Sequence, residues 1–198
     1  DDFFAEMENL LKPSIPVFID DKYTDRGKWM DGWESRRKRV EGYDWCVIKL
    51  GAQGIIHGLN VCTRHFAGNA PQKVSIEACN QATAPNGDTQ WTEILTTTDV
   101  SPDSDNFFDI ANGDAWTHLR LNIYPDGGVA RLRVYGEPVI DWNWFLKGEP
   151  VDLAYVKNGG RPIECTDMFF SNMENLIMPN RGKDMGDGWE TKRRRGGR

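Results

Sequence analysis

The chain has 198 residues, 39% of them hydrophobic and 27% charged, with a formal charge of −6. This is globular composition, neither disordered nor fibrous, and its length suits one domain plus a remainder with a sizeable core. No apolar run nears the ~20 residues of a membrane span, and Asp1-Asp2-Phe3-Phe4 lacks the basic start and apolar stretch of a signal peptide, so no membrane partner is expected. Residues 1–180 hold 17 Lys and Arg against 27 Asp and Glu, a balance of −10 that argues against a nucleic-acid partner.

In chain order, the first element is a short helical segment over residues 3–11, followed by a glycine- and charge-rich stretch that ends in Asp31-Gly32-Trp33-Glu34-Ser35-Arg36-Arg37-Lys38-Arg39. Both return. Phe3-Phe4-x-x-Met7-Glu8-Asn9-Leu10 recurs as Phe169-Phe170-x-x-Met173-Glu174-Asn175-Leu176, with Pro13 matching Pro179, at an offset of 166. Arg26-Gly27-Lys28 recurs as Arg181-Gly182-Lys183, and the Asp31 element recurs at offset 156 as Asp187-Gly188-Trp189-Glu190-Thr191-Lys192-Arg193-Arg194-Arg195. The offset falls because the first copy carries extra residues at 14–25. Shared Trp, Met and paired Phe in the same order mark a duplicated unit of about 160 residues. The first repeat is expected over 1–165 and the beginning of a truncated second over 166–198. The basic run 192–195 therefore belongs to a repeated element.

Between the copies, residues 45–50, 55–63, 74–78, 92–95, 117–124 and 129–135 read as strands, being short, rich in β-branched and aromatic residues, and bounded by Gly, Pro, Asn or Asp. Their spacing predicts an antiparallel sandwich. The clearest hairpin joins 119–124 to 129–135 through Pro125-Asp126-Gly127-Gly128. Alternation assigns Leu119, Leu121, Ile123, Ala130, Leu132 and Val134 to the core, and His118, Arg120, Asn122, Arg131 and Arg133 to the opposite, outer face. Residues 136–166 read as the connection between copies. Cys46, Cys62, Cys79 and Cys165 form no C-x-x-C pair, and the chain has no Asn-x-Ser/Thr sequon. Four free thiols and a reducing, cytoplasmic location are expected.

The strings Arg26-Gly27-Lys28-Trp29-Met30-Asp31-Gly32-Trp33-Glu34, Asp44-Trp45-Cys46-Val47-Ile48, Phe66-Ala67-Gly68-Asn69-Ala70-Pro71, Arg120-Leu121-Asn122-Ile123-Tyr124-Pro125-Asp126-Gly127-Gly128 and Met185-Gly186-Asp187-Gly188-Trp189-Glu190 together resemble the allantoicase family, from end to end of the chain. The resemblance implies an all-β fold of duplicated jelly-roll sandwiches of the galactose-binding-like type. It also implies hydrolysis of a linear amidine C–N bond, allantoate giving ureidoglycolate and urea in purine degradation.

Allantoate carries a carboxylate and two ureido groups on one carbon. A site for it needs a cation, acceptors for N–H groups, and a proton donor for the departing urea. The Asp31 element offers most of these within nine residues: Glu34 or Asp31 for acid and base work, Trp33 as an apolar wall, and Arg37 and Arg39 as bidentate forks, being the two positions that are Arg in both copies. Asp187, Glu190, Arg193 and Arg195 are the second-repeat equivalents. The plainer alternative is a core Trp33 beside a solvated ion-pair network. A second cluster, 63–71, offers His65 as general acid and Asn69 as a ureido binder. His57 reads as a strand residue and His118 as a surface one. No cofactor or metal-ligand spacing is evident, although a divalent metal on carboxylates and His65 is left open. A homo-oligomer is expected. The runner-up function is a non-catalytic module that binds a small ligand or carbohydrate.

Overall fold

The computed structural model describes residues 1–139, 148 and 150–194. They form two compact units, Asp1–Leu50 with Gly54–Glu137, and Gly51–Gln53 with Pro138–Arg198. The architecture is all-β, a jelly-roll sandwich in which the described residues form ten strands and otherwise only 3₁₀ turns. The strands are β1 (Tyr23–Thr24), β2 (Gly27–Lys28), β3 (Trp33–Glu34), β4 (Asp44–Cys62), β5 (Lys73–Cys79), β6 (Thr92–Asp99), β7 (Asp105–Asp109), β8 (Ala115–Tyr124), β9 (Gly128–Val129) and β10 (Arg131–Pro138). The main sheet runs β10-β4-β8-β5-β6, with β7 also on β4, while β3 pairs with β9 and β1 with β2.

Strand β4 organises the first unit. Two strands were expected there, 45–50 and 55–63, and the structure joins them into one of 19 residues. Its first part pairs with β8, its last part with β7, and the register shifts between Lys49 and Gly54. Glycines 51 and 54 thus mark a bulge that re-aims a continuous strand rather than a break between two. Strand β7 escaped the pattern because its sequence, Asp-Asn-Phe-Phe-Asp, is short and ends in strand-poor residues. The helical signal at 3–11 and 169–177 resolves into 3₁₀ turns, Met7–Leu11 and Met173–Ile177.

The alternation on β8 places Leu119, Leu121 and Ile123 in the core, against Val74, Ile76 and Ala78 of β5, and Leu132 joins them. Each such burial stabilises by about 1.5–3 kcal/mol. Two expectations need correction. The hairpin from β8 to β10 does not form, because both edges of β8 are taken by β4 and β5, and β10 lies on the far side of β4. Residues 128–129 split off as β9, pairing with β3 where Glu34 faces Gly128. The second correction concerns the outer face, since His118, Asn122 and Arg131 are all buried. Asn122 is drawn into a network with Ser75 and Glu77, and Arg120 pairs with the same Glu77. Burial, and then Lys49, hold the His118 imidazole below its ordinary pKa.

All four cysteines are free thiols, Cys46, Cys62 and Cys79 buried and Cys165 partly exposed. Burial, with Glu8 adding to it, pushes the Cys46 thiol up to about 11. A thiol count on unfolded protein should give four, and on folded protein Cys165 should react first and Cys46 among the slowest. A count of two, or fast labelling of Cys46, would contradict this arrangement.

In the second unit, residues 167–194 rebuild the opening of the first bond for bond. The Trp33 indole donates to the Asp1 carbonyl at 2.8 Å and Trp189 to that of Asp167 at 2.9 Å. Asn9 donates to the Gly32 carbonyl at 2.9 Å and Asn175 to that of Gly188 at 2.8 Å. The Asp1 carboxylate receives the Arg36 N–H, and the Asp167 carboxylate that of Lys192. Ala5 bridges Glu34 as Ser171 bridges Glu190. One difference stands out: Leu10 is fully buried in the core, whereas its counterpart Leu176 is 62% exposed.

Candidate functional site

These paired bonds sort the repeated residues. Asp1, Asn9, Gly32 and Trp33, with their second-copy partners, recur because they form one clip. Trp33 is accordingly a core residue, 1% exposed, as the plainer reading held. At Gly32 a Cβ would lie 2.6 Å from the Val129 carbonyl and 2.7 Å from the Ala130 Cα, a close approach only glycine allows, whereas at Gly188 the nearest such atom is 4.0 Å away.

Asp31 is also drawn into structure. One carboxylate oxygen accepts from the Arg131 guanidinium at 2.7 Å and from the Val17 N–H at 3.1 Å, and the other lies 3.4 Å from Lys12 Nζ. Burial alone would raise its pKa, but Arg131, the Val17 amide and Lys12 outweigh that and hold it below the usual carboxylate range. Its second-copy counterpart is also bonded within its own loop, though to other partners and without an ion pair among the described residues, since Asp187 accepts from the Lys183 N–H and the Asn180 amide.

Glu34 is different. Its backbone is fixed by Ala5, Phe4 and β9, while its side chain accepts from the Asn69 amide at 2.7 Å. Two residues singled out separately in the sequence, 35 positions apart, are thus brought into direct contact. Burial pushes the Glu34 carboxyl up, and the Asn69 bond offsets this only in part. No cation pairs with it among the described residues. Asn69 is placed by its own carbonyl, which accepts the Gly128 N–H at 2.8 Å. Gly127, at φ +133°, lets that loop pass, because a Cβ there would be 2.6 Å from the Asn69 carbonyl oxygen.

The arginines lie in a separate groove of about 520 Å³, lined by Asp1, Phe3, Phe4 and residues 36–40. Arg36 is occupied there, stacked 4.5 Å from the Phe3 ring and 3.7 Å from the Asp1 carboxylate. Arg37 and Arg39 are exposed. Phe4 lines this groove, and its backbone N–H donates to the Glu34 backbone carbonyl. The second unit has the matching groove over Trp189, Glu190 and residues 191–194. Arg195 lies outside the described residues.

His65 faces elsewhere. Its ring nitrogen Nε2 is 3.2 Å from the Pro16 carbonyl, its ring packs on Phe18 at 5.7 Å, and its backbone sits at φ +70° with the N–H donated to Asp103. Sequence reasoning missed Asp105 and Asn60, which form an ion-pair cluster with Arg64 of the 63–71 stretch at the end of β4. Only Arg64, next to His65, carried any signal. Among the described residues no three of His, Cys, Asp and Glu converge. No helix there is long and apolar enough to cross a membrane.

Comparison with known proteins bears on the family and the fold. A family model described as an allantoicase repeat matches residues 1–139 and 151–198. A probable allantoicase of Pseudomonas fluorescens is 52% identical over 196 residues, covering 98% of this chain and 59% of that protein. Probable allantoicase 1 of Burkholderia mallei is 50% identical, covering 98% and 58%. The crystal structure of allantoicase from Saccharomyces cerevisiae superposes with a TM-score of 0.79 at 39% identity, covering 98% of this chain and 59% of that one. The chain therefore spans less than two thirds of the length of these relatives. With a family model matched along nearly its whole length, the chain belongs to the allantoicase family.

Proposed function

We propose that the protein to which this chain contributes hydrolyses allantoate to ureidoglycolate and urea. The observation that carries the chemistry is the Glu34–Asn69 pair, a carboxyl held toward its protonated form by burial and fixed by one neutral donor. A carboxyl raised in this way is a better source of a proton for the departing ureido nitrogen than an ordinary one. Asp31 was expected to activate water, but both its oxygens are engaged. Releasing urea first and adding water second needs no such base. Glu34 protonates the nitrogen as the C–N bond breaks, and its carboxylate then takes the proton of the water whose oxygen bonds to the same carbon. One carboxyl serves both steps and is regenerated. Arg37 and Arg39 hold the substrate carboxylate, and the carbonyl end of Asn69 accepts a ureido N–H.

The test is urea release from allantoate, by the chain alone and by a chimera supplying the portion of the Pseudomonas fluorescens relative that the chain does not cover. The chimera is expected to turn over, and the 198-residue chain to be inactive or very weak. A folded chimera that binds allantoate without releasing urea would favour the binding-module alternative. Because Arg36 is spent on Phe3 and Asp1 while Arg37 is exposed, Arg37→Lys should raise KM by about tenfold or more and Arg36→Lys by under about threefold, a planar fork being what lysine lacks. Equal tolerance at both positions would make the repeated arginines structural.

A further inference from the structure

The turn Pro125-Asp126-Gly127-Gly128 was expected to close a hairpin from β8 to β10, and in the structure it lies against two other segments instead. On one side the Ser35 N–H donates to the Gly127 carbonyl at 3.1 Å, and the Lys38 N–H donates to the Asp126 carboxylate at 2.6 Å. On the other side the Gly128 N–H donates to the Asn69 carbonyl at 2.8 Å. Three consecutive residues thus hold both the run that carries Arg37 and Arg39 and the loop that carries Asn69. The seating against that loop is close, since a Cβ at Gly128 would lie 2.0 Å from the Phe66 ring.

Residues 35–39 belong to no strand or helix, so no ladder fixes where their side chains point, and groups carried on such a run are held less precisely than groups on a strand. Two carboxylates supply the missing restraint. The Arg36 N–H donates to Asp1 Oδ1 at 3.0 Å and the Lys38 N–H to Asp126 Oδ2 at 2.6 Å, so Arg37 stands between two held amides and Arg39 follows the second. Bonds from N–H groups to carboxylates are shorter and roughly twice as strong as neutral ones. The Lys38 side chain is turned inward onto the Asp44 carboxylate, whereas Arg37 and Arg39 on either side of it are exposed. Asp126 is half-buried, does not line the arginine groove, and among the described residues makes this one hydrogen bond.

We propose that Asp126 is a positioning residue for substrate binding: by tying the Lys38 amide to the turn that also holds Asn69, it sets Arg37 and Arg39 toward the substrate carboxylate. This rests on the proposed function, which gives the two arginines that role. Asp126 touches no reacting atom and acts through the run it anchors. The arginines grip the carboxylate alike before and during C–N bond breaking, so loss of the anchor weakens binding without slowing the chemical step. The Glu34–Asn69 bond does not depend on the Asp126 side chain, because the Gly128 N–H that holds the Asn69 carbonyl belongs to the backbone.

In the chimera, Asp126→Ala should raise KM for allantoate by about tenfold and change kcat by less than about twofold. Asp126→Asn keeps an oxygen for the Lys38 N–H and should bring KM back to within about threefold of wild type. Combined with Arg37→Lys, Asp126→Ala should raise KM by less than the product of the two single effects, as a residue acting through the arginine run requires. In the 198-residue chain, without substrate, the Lys38 amide hydrogen should exchange about tenfold faster in Asp126→Ala while the Gly128 amide keeps its wild-type rate, which also excludes a general loss of fold. Unchanged exchange at Lys38, a fall in kcat with KM unmoved, or no recovery in Asp126→Asn overturns the role. An unmoved KM in Asp126→Ala beside an impaired Arg37→Lys overturns it while leaving the proposed function standing. Tolerance of Arg37→Lys marks failure of the arginine reading itself, and this role falls with it. Should the chimera bind allantoate without turnover, Kd takes the place of KM in each comparison.

Discussion

Glu34→Gln is expected to abolish allantoate turnover in the chimera, by about 10² to 10⁴ in kcat, without loss of fold. Glutamine keeps the oxygen that accepts from Asn69, so the 2.7 Å bond has a replacement, and the backbone pairing with Gly128 and Ala5 does not involve the side chain. Only the transferable proton is removed. The sign on stability is equally definite. A carboxyl whose folded pKa is raised above its ordinary 4.5 loses stabilisation as pH rises through the folded value, because the buried group must then ionise. At neutral pH the glutamine variant should therefore melt no lower than wild type and somewhat higher, and the difference should vanish below about pH 4.5. In wild type, kcat should fall on the alkaline side as the carboxyl ionises. Wild-type kinetics in the variant would remove Glu34 from the chemistry, while a lowered Tm at neutral pH would remove the buried-carboxyl description.

What the sequence could and could not reveal divides along physical lines. The strand periods of 74–78 and 117–124 were legible because each strand buries one strictly apolar face. The β8–β10 hairpin was misread because turn residues declare that the chain reverses, not which strand edge it returns to, and β4 and β5 had already occupied both edges of β8. Both Glu34 and Asn69 were legible as residue types with suitable chemistry. Their contact was not, since it depends on β3 pairing with β9, two strands of two residues each that no periodicity can signal. Repetition was the strongest signal and also ambiguous. It marked Trp33 and Asp31 as strongly as Glu34, and only the paired hydrogen bonds of the two units separate the clip from the side chains left over. Asn60 and Asp105 were invisible because they converge from β4 and β7 across 45 positions without a motif.

Asp31→Asn is expected to cost about 3–5 kcal/mol of folding stability, the largest loss from any single charge removal among the described residues. Arg131 is 2% exposed and its guanidinium cannot shed its proton, so removing the carboxylate at 2.7 Å leaves a buried cation without a counter-charge. Asparagine retains an oxygen for the Val17 amide, so the loss reports on the charge rather than on the loop contact. Arg131→Met should cost less, because the carboxylate left behind still has Lys12 at 3.4 Å and the Val17 N–H at 3.1 Å. The double variant should be less damaged than the sum of the two singles, as two groups that neutralise each other require. The pH dependence runs opposite to that of Glu34. With a folded pKa held below its ordinary 3.8, Asp31 stabilises above that value and loses its contribution as pH falls through the folded pKa. In urea unfolding, the gap between wild type and Asp31→Asn should be full at neutral pH and close in strong acid, below pH 3.8. A gap that stays constant through the acid range, or additive losses in the double variant, would show that Asp31 acts by shape and hydrogen bonding alone, and would free its carboxylate for the water-activating role that the Arg131 pair now denies it.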